Sequence, residues 1–355
     1  MRITRLSLAQ FRSWRRLDLS PGAAPVAFYG PNGSGKTNIL EALSMLSPGR
    51  GLRGAAPEQQ ARLDAGAGWR VRAEIGGQEV ETGAAPGARR EVLIEDKPAP
   101  QVALGRLLRV IWLVPAMDRL WSDAPETRRR FVDRIALSFT PGHADAVLSY
   151  DKAMRERNRL LRDEISDPGW YGALEHQMGI SGGQITQNRL DALARITSFA
   201  SDDRDFPAPR LSLLPGEGFA DDPEPGSITA RLAEMRRRDL AAGRSLTGPH
   251  RADLGAHWGE AGIEAALSST GEQKALLLSV MLANARAIAA ENPVLLLDEV
   301  AAHLDADRRA ALYAMLAETG AQVFMTGTGP ELFDQLDGAL FAVSRVGGES
   351  RLAPG

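Results

Sequence analysis

Eight consecutive residues, Gly30-Pro31-Asn32-Gly33-Ser34-Gly35-Lys36-Thr37, carry the pattern G-x-x-x-x-G-K-[ST]. A short apolar run, Val26–Tyr29, precedes them, and Ile39, Leu40, Leu43 and Leu46 follow at helical spacing. In this strand–loop–helix setting, glycines free backbone N–H groups to turn inward on phosphates, and the helix N-terminus adds partial positive charge. Lys36 then reaches the β- and γ-phosphates of a nucleoside triphosphate and Thr37 ligates Mg²⁺. The only lysines are Lys36, Lys97, Lys152 and Lys274, with arginine supplying the other positive charge. A lysine where the motif demands one therefore stands out.

A second chemical pair lies near the other end. Val294–Leu297 is a continuous aliphatic run, the pattern of a strand buried on both faces of a parallel sheet. Asp298 and Glu299 follow it, at the carboxyl end where α/β sheets bind ligands. Asp298 suits the Mg²⁺ shell, and Glu299 suits the base that orients an attacking water. Ahead of this strand, Ser269-Thr270-Gly271-Glu272 opens a helix with Leu276, Leu277, Val280 and Met281 at helical spacing. Beyond it come residues 301–305, "AAHLD", and the short strand "QVFMTGT", residues 322–328.

These residues need a scaffold, and the composition allows one. The chain has 355 residues, 44% hydrophobic and 25% charged, ordinary for a globular protein with a sizeable core. No apolar run is long enough to span a bilayer, and arginines interrupt the N-terminal stretch where a signal peptide would need a continuous apolar region. The absence of cysteine excludes disulfides and Cys-ligated zinc, and the cytoplasm is the expected location. With a net charge of −3, any affinity for nucleic acid must come from local patches.

The order of motifs carries a resemblance. An N-terminal P-loop, followed at the C-terminus by S-x-G-E, a DE strand and an x-x-L-D turn, is similar to the ABC-type head of SMC-like DNA-maintenance ATPases. "FRSW" (11–14), "GPNGSGKTNILEAL", "PETRRRFVDR" (125–134), "TGPHRADL" (247–254) and "STGEQK" (269–274) more closely resemble the bacterial RecF family of recombination-mediator ATPases.

The fold implied is α/β: an ABC-type P-loop ATPase head from 1–115 and 245–355, with an inserted, mainly helical second lobe over 116–244. The resemblance implies ATP and Mg²⁺ as cofactors and an ATP-dependent head-to-tail homodimer. In that dimer Ser269, Thr270, Gly271 and Glu272 act in trans as the signature, with Asp305 in the D-loop. It also implies binding to DNA gaps or single-strand/duplex junctions, RecR/RecO-type mediator partners, recombinase loading, replication-fork maintenance and SOS induction.

Some positions depart from the family pattern. Ala252 replaces the first of two acids after GPHR, and Ala302 stands at the D-loop serine position. Thr326-Gly327-Thr328 stands where a switch histidine would be, and Asp118 is the nearest polar residue to a Q-loop glutamine. The expected ATPase is slow, DNA-stimulated and dimer-dependent. The alternatives are an ATP-binding scaffold with negligible turnover and another SMC-like or defence-type head.

The middle of the chain changes character. Residues 146–165 read as helix, 171–200 as a second helix or a broken pair, 201–227 as strand plus loop, and 228–243 as a third helix closed by Gly243. The apolar positions do not sustain long heptads, so extended coiled-coil arms are not expected. Arginine is concentrated here, and Arg128, Arg129, Arg130, Arg155 and Arg159 are candidates for DNA phosphates. Neighbouring Glu126, Glu156, Asp163 and Asp239 allow the other reading, a solvated helix face. His250 and Arg251 fit either a head–lobe junction or a structural role.

Ser181-Gly182-Gly183-Gln184 spells an ABC signature outright. It stands too far ahead of the DE strand, with a Pro/Gly-rich segment and a whole helix between. Ser269 is one helix and a turn away, so residues 180–184 are expected to be a Gly-Gly break between lobe helices.

Overall fold

In chain order, strands β1 (Ile3–Phe11), β2 (Trp14–Leu19) and β3 (Val26–Tyr29) lead into helices α1 (Lys36–Ser44) and α2 (Pro57–Gln60). Strands β4 (Trp69–Ile75), β5 (Gln78–Ala84), β6 (Glu91–Ile94) and β7 (Lys97–Pro98) follow, then α3 (Leu104–Leu107) and β8 (Val110–Leu113). Next come α4 (Pro125–Phe139), α5 (His143–Arg162), α6 (Pro168–Phe199), β9 (Arg210–Leu214), α7 (Pro225–Glu234) and α8 (Arg236–Ala242). Strands β10 (Asp253–Trp258) and β11 (Ile263–Glu264) precede α9 (Thr270–Ala287), β12 (Val294–Leu297) and α10 (Ala306–Glu318). The chain closes with β13 (Gln322–Gly327), β14 (Ala339–Val346) and β15 (Glu349–Pro354). The structure, a computed structural model, describes residues 1–63, 66–201, 205–216, 222–258 and 262–355, without the side chain of His303.

Residues 1–117 and 281–355 form one compact unit, and 118–280 a second. The first holds two six-stranded sheets. One is antiparallel in the order β2-β1-β4-β5-β6-β7; the other runs β15-β14-β3-β13-β12-β8. In the second sheet β14, β3, β13, β12 and β8 are parallel, and β15 alone returns antiparallel. Residues of α1 (Ile39, Leu40, Leu43) share one core with Leu6, Leu8 and Val71 of the first sheet and Phe28, Leu296 and Phe324 of the second. The four aliphatic side chains of β12 are all buried, as a central parallel strand requires. This order brings the carboxyl ends of β3, β13 and β12 side by side.

The second unit combines α4–α8 with a three-stranded sheet, β11-β10-β9. Its longest helix corrects the expected break: α6 runs 32 residues straight through Gly182 and Gly183. Asp167 caps its start, accepting N–H bonds from Gly169 at 2.8 Å and Trp170 at 3.4 Å. The glycines serve close packing. A Cβ at Gly179 would lie 2.1 Å from Thr229 Oγ1, and one at Gly183 would lie 2.3 Å from the carbonyl oxygen of Pro223. Each interior glycine costs a helix roughly 1 kcal/mol, and approach of the segment leading into α7 offsets that cost.

The third expected helix is in fact two, α7 and α8, divided at Met235. Gly243 closes α8 in the left-handed conformation at φ 63°. Of the expected strand-plus-loop segment, β9 is the strand; residues 202–204 and 217–221 lie outside the described residues. Among the described residues, no helix is long and apolar enough to cross a membrane.

The unit is pinned by a buried ionic network. Arg157, fully buried, bonds Asp239 at 2.7 Å and Glu175 at 3.1 Å, and also the Ser245 hydroxyl at 2.8 Å and the Leu232 carbonyl at 3.0 Å. Arg236 adds a second guanidinium to Glu175.

Candidate nucleotide-binding site

The P-loop leaves β3 at Tyr29 and turns into α1. Gly30 sits at φ 147°, and any Cβ there would come within 2.1 Å of the Val343 carbonyl oxygen on β14. Gly35, at φ 109°, is the residue before α1. Lys36 is buried, and its ammonium folds back onto the loop, donating to the carbonyls of Gly30 at 2.7 Å and Pro31 at 3.0 Å. Burial pulls its pKa below the ordinary lysine value, while Glu299 and Asp298 push it back up. Pro31, Asn32 and Gly33 are exposed at the loop tip, and Ser34 is buried.

The acid pair arrives from β12. Thr37 donates its hydroxyl to Asp298 Oδ1 at 2.8 Å, so the two expected magnesium ligands touch. A second hydroxyl, which sequence reading did not select as a site residue, completes the group. Thr326 on β13 donates to the same oxygen at 2.7 Å and accepts the N–H of Glu299 at 3.0 Å. Thr326 is fully buried. Only the strand order reveals its role, because β13 lies between the P-loop strand and the acid strand. Glu299 itself is half-buried and held in the left-handed region at φ 53°, a conformation that costs a non-glycine residue on the order of 1 kcal/mol.

The oxygens of Thr37 and Asp298 form a hard donor set suited to Mg²⁺. That ion is typically bound by one or two carboxylates together with substrate phosphates rather than by an all-protein cage. Among the described residues, no group of three or more His, Cys, Asp or Glu could hold a metal ion.

In the second unit, Ser269, Thr270 and Gly271 are exposed at the start of α9. Ser269 and Glu272 form a reciprocal capping box. The Ser269 N–H donates to Glu272 Oε2 at 2.7 Å, and the Glu272 N–H donates to Ser269 Oγ at 3.3 Å. The backbone bond to Ser269 lowers the pKa of Glu272. Further along α9, Lys274 pairs with Asp118 at 3.6 Å, and the Trp121 indole donates to the Gln273 carbonyl at 3.1 Å. In the first unit, Asp305 caps α10, accepting the N–H of Arg308 at 2.9 Å.

The candidate DNA arginines differ sharply. Arg128 is taken up inside its unit: it grips Asp253 through two bonds of 2.8 and 2.7 Å and reaches the Asp123 carbonyl at 2.6 Å. Arg129 donates to the Ala252 carbonyl at 2.9 Å. Arg130 is exposed and pairs with Glu126 one turn away, and Arg159 is exposed and pairs with Glu156. Arg155 is exposed.

Comparison with known proteins gives the lineage. A family described as an AAA domain matches residues 5–64. The DNA replication and repair protein RecF of Brucella suis biovar 1 (strain 1330) is 43% identical, over 95% of this chain and 92% of its own length. The RecF proteins of Rhizobium meliloti (strain 1021) and Caulobacter vibrioides (strain ATCC 19089 / CIP 103742 / CB 15) are each 44% identical; the first match covers 94% of both chains, the second 96% of this chain and 95% of the relative. The chain belongs to the RecF family.

Its fold matches that family's solved structures. The recombination mediator protein RecF in the RecF-ATP form of the RecFOR pathway superposes with a TM-score of 0.83 at 21% identity, over 99% of both chains. An Smc head bound to the C-terminal winged-helix domain of ScpA matches at 0.58 and 14% identity, over 99% of this chain and 97% of that one. In this RecF-family chain the "GPHR" stretch is built into the helical unit. His250 Nδ1 lies 2.8 Å from the Tyr150 hydroxyl and its Nε2 lies 3.1 Å from the Ser245 carbonyl. Burial pulls the His250 pKa down to about 4, which keeps the ring neutral. Arg189 holds the Pro249 carbonyl at 2.7 Å. These contacts favour the structural reading of His250.

Proposed function

We propose that this RecF-family protein is an ATP-driven switch that binds DNA during replication and repair. The observation that carries the reading is the meeting of Lys36, Thr37, Asp298 and Glu299 beyond the carboxyl ends of β3 and β12, on either side of β13, with Thr37 and Asp298 in direct contact. Lys36 and the N–H groups of Gly33, Ser34 and Gly35 hold the β- and γ-phosphates, with Pro31 and Asn32 shaping the loop. Thr37 and Asp298 would hold Mg²⁺, whose chemistry there is charge neutralisation on the phosphates. Glu299 orients the water that attacks the γ-phosphate.

The protein is a P-loop ATPase. A second copy of the chain supplies the exposed start of α9 (Ser269, Thr270, Gly271 and the capping Glu272), whose helix dipole favours the γ-phosphate. Closure of the head-to-tail dimer then depends on ATP, with Asp305 near the junction. Turnover is slow, since Thr326 occupies the region where a switch histidine would act.

DNA contact fits the exposed edge of α5, where Lys152, Arg155, Arg159 and Arg162 recur at helical spacing and all face solvent. Arg130 is a further candidate. Surface pairs such as Arg159–Glu156 are worth about 1 kcal/mol or less and yield to phosphate. The partners are gapped or junction DNA and RecR/RecO-type mediators, in the cytoplasm.

Light scattering with and without ATP tests the switch. Dimer is expected with ATP, monomer with ADP or with Lys36→Met, and a persistent dimer with Glu299→Gln. A monomer under saturating ATP overturns the reading. ATP binding without turnover above background, DNA binding being kept, favours a scaffold role.

A further inference from the structure

The P-loop is held from outside by parts of the chain that no phosphate-binding motif includes. Ser350, 5% exposed on β15, places its Oγ 2.5 Å from the Ser34 carbonyl and 2.6 Å from Ser13 Oγ, and its N–H donates to the Ser13 carbonyl at 3.0 Å. Asn38 Nδ2 lies 2.7 Å from Ser13 Oγ, and Arg53 donates to Asn38 Oδ1 at 2.9 Å, which fixes the amide orientation. Each hydroxyl has one proton, so the direction follows. Asn38 donates to Ser13, Ser13 to Ser350, and Ser350 to the Ser34 carbonyl. The next peptide is held in the same way: the Trp14 indole donates to the Gly35 carbonyl at 3.1 Å.

Two consecutive P-loop carbonyls are thereby pinned by "FRSW" and the C-terminal hairpin. Among the described residues no peptide is cis, and a trans peptide directs its N–H opposite to its C=O. Pinning the Ser34 and Gly35 carbonyls therefore orients the N–H groups of Gly35 and Lys36, two donors of the phosphate cradle. The grip is tight enough to demand glycine, because a Cβ at Gly35 would lie 2.3 Å from Ser350 Oγ and 2.6 Å from Ser13 Oγ. The hairpin is anchored independently through Glu349, which pairs with Arg62 at 3.3 Å and Arg15 at 3.9 Å.

We infer that Ser350, backed by Ser13, is a positioning residue for nucleotide phosphates: the C-terminal hairpin sets the P-loop peptides in their phosphate-binding orientation before the nucleotide arrives. The inference rests on the ATP site proposed above. Preorganised donors bind without a reorganisation cost, so losing the restraint weakens ground-state binding.

The test measures ADP, ATP and AMP binding by calorimetry on the full chain, with thermal melts of each nucleotide-free variant. Ser350→Ala is expected to weaken ADP and ATP by about three- to tenfold, the range of one hydrogen bond, and to leave AMP unchanged. The loss should fall on KM rather than kcat, and Ser350→Thr should restore it. Ser13→Ala should give a smaller loss of the same kind and carries the test alone if Ser350→Ala does not fold. Equal weakening of AMP and ADP, or a lower melting temperature with unchanged ADP affinity, overturns the inference. If the wild-type chain binds no nucleotide more tightly than Lys36→Met, it is the ATP site itself that fails.

Discussion

Thr37 Oγ1 and Asp298 Oδ1 lie 2.8 Å apart across 261 positions of sequence. That bond ties the end of the P-loop to the end of the acid strand, and Thr326 joins it from the strand between them. The contact depends on the β3-β13-β12 order, so the site reports directly on the parallel sheet.

Thr326→Val should lower kcat by roughly 10- to 100-fold, the usual cost of losing a group that orients a metal ligand. The valine keeps the volume but leaves the Glu299 N–H without its acceptor. ATP affinity should hold, and Thr326→Ser should recover most of the rate. Steady-state ATPase assays beside equilibrium binding check both halves.

Arg157→Met should destabilise the helical unit by roughly 3–5 kcal/mol, because Glu175 and Asp239 would be left as buried charges without it. Replacing all three with apolar residues should regain much of the loss. Denaturant melts of the single and triple variants check this.

Gly183→Ala should cost roughly 1–3 kcal/mol from overpacking against Pro223, despite alanine's better helix propensity. Nucleotide binding should not change. Thermal melts and ADP calorimetry together distinguish packing from a phosphate role for this stretch.

Stability should fall on acidification below about pH 6.5. An unfolded histidine takes up a proton near 6.5, whereas folded His250 does so only near about 4. Between these values the unfolded chain binds more protons, so stability rises with pH and is fully present above the upper value. The contribution is roughly 3–4 kcal/mol at full value. Burial is the main cause, and the neighbouring cations Arg251, Arg129 and Arg157 act in the same direction. His250→Gln should flatten this part of a stability–pH curve.

The P-loop and the buried acid strand were legible because their local pattern and their place in a parallel sheet point the same way. Val294–Leu297 followed by two acids has few other uses. Gly182-Gly183 has the local pattern of a break because propensity carries only the cost of glycine in a helix, whereas the compensation is tertiary: Gly182 faces Tyr150 and Pro249, and Gly183 faces the segment leading into α7. Arg128 is a DNA candidate in the sequence because its partner, Asp253, is distant along the chain. Thr326 and Ser350 were out of reach for the same reason: a lone hydroxyl residue gains meaning only when the fold supplies what it faces.

Glu299 occupies a backbone conformation that suits asparagine better than glutamate. Glu299→Asn is therefore expected to raise the melting temperature while ending turnover, which calorimetry and an ATPase assay would read side by side. A screen for robustness alone would reward asparagine or glycine at this position, so thermostable variants of this chain should be selected under demand for the reaction.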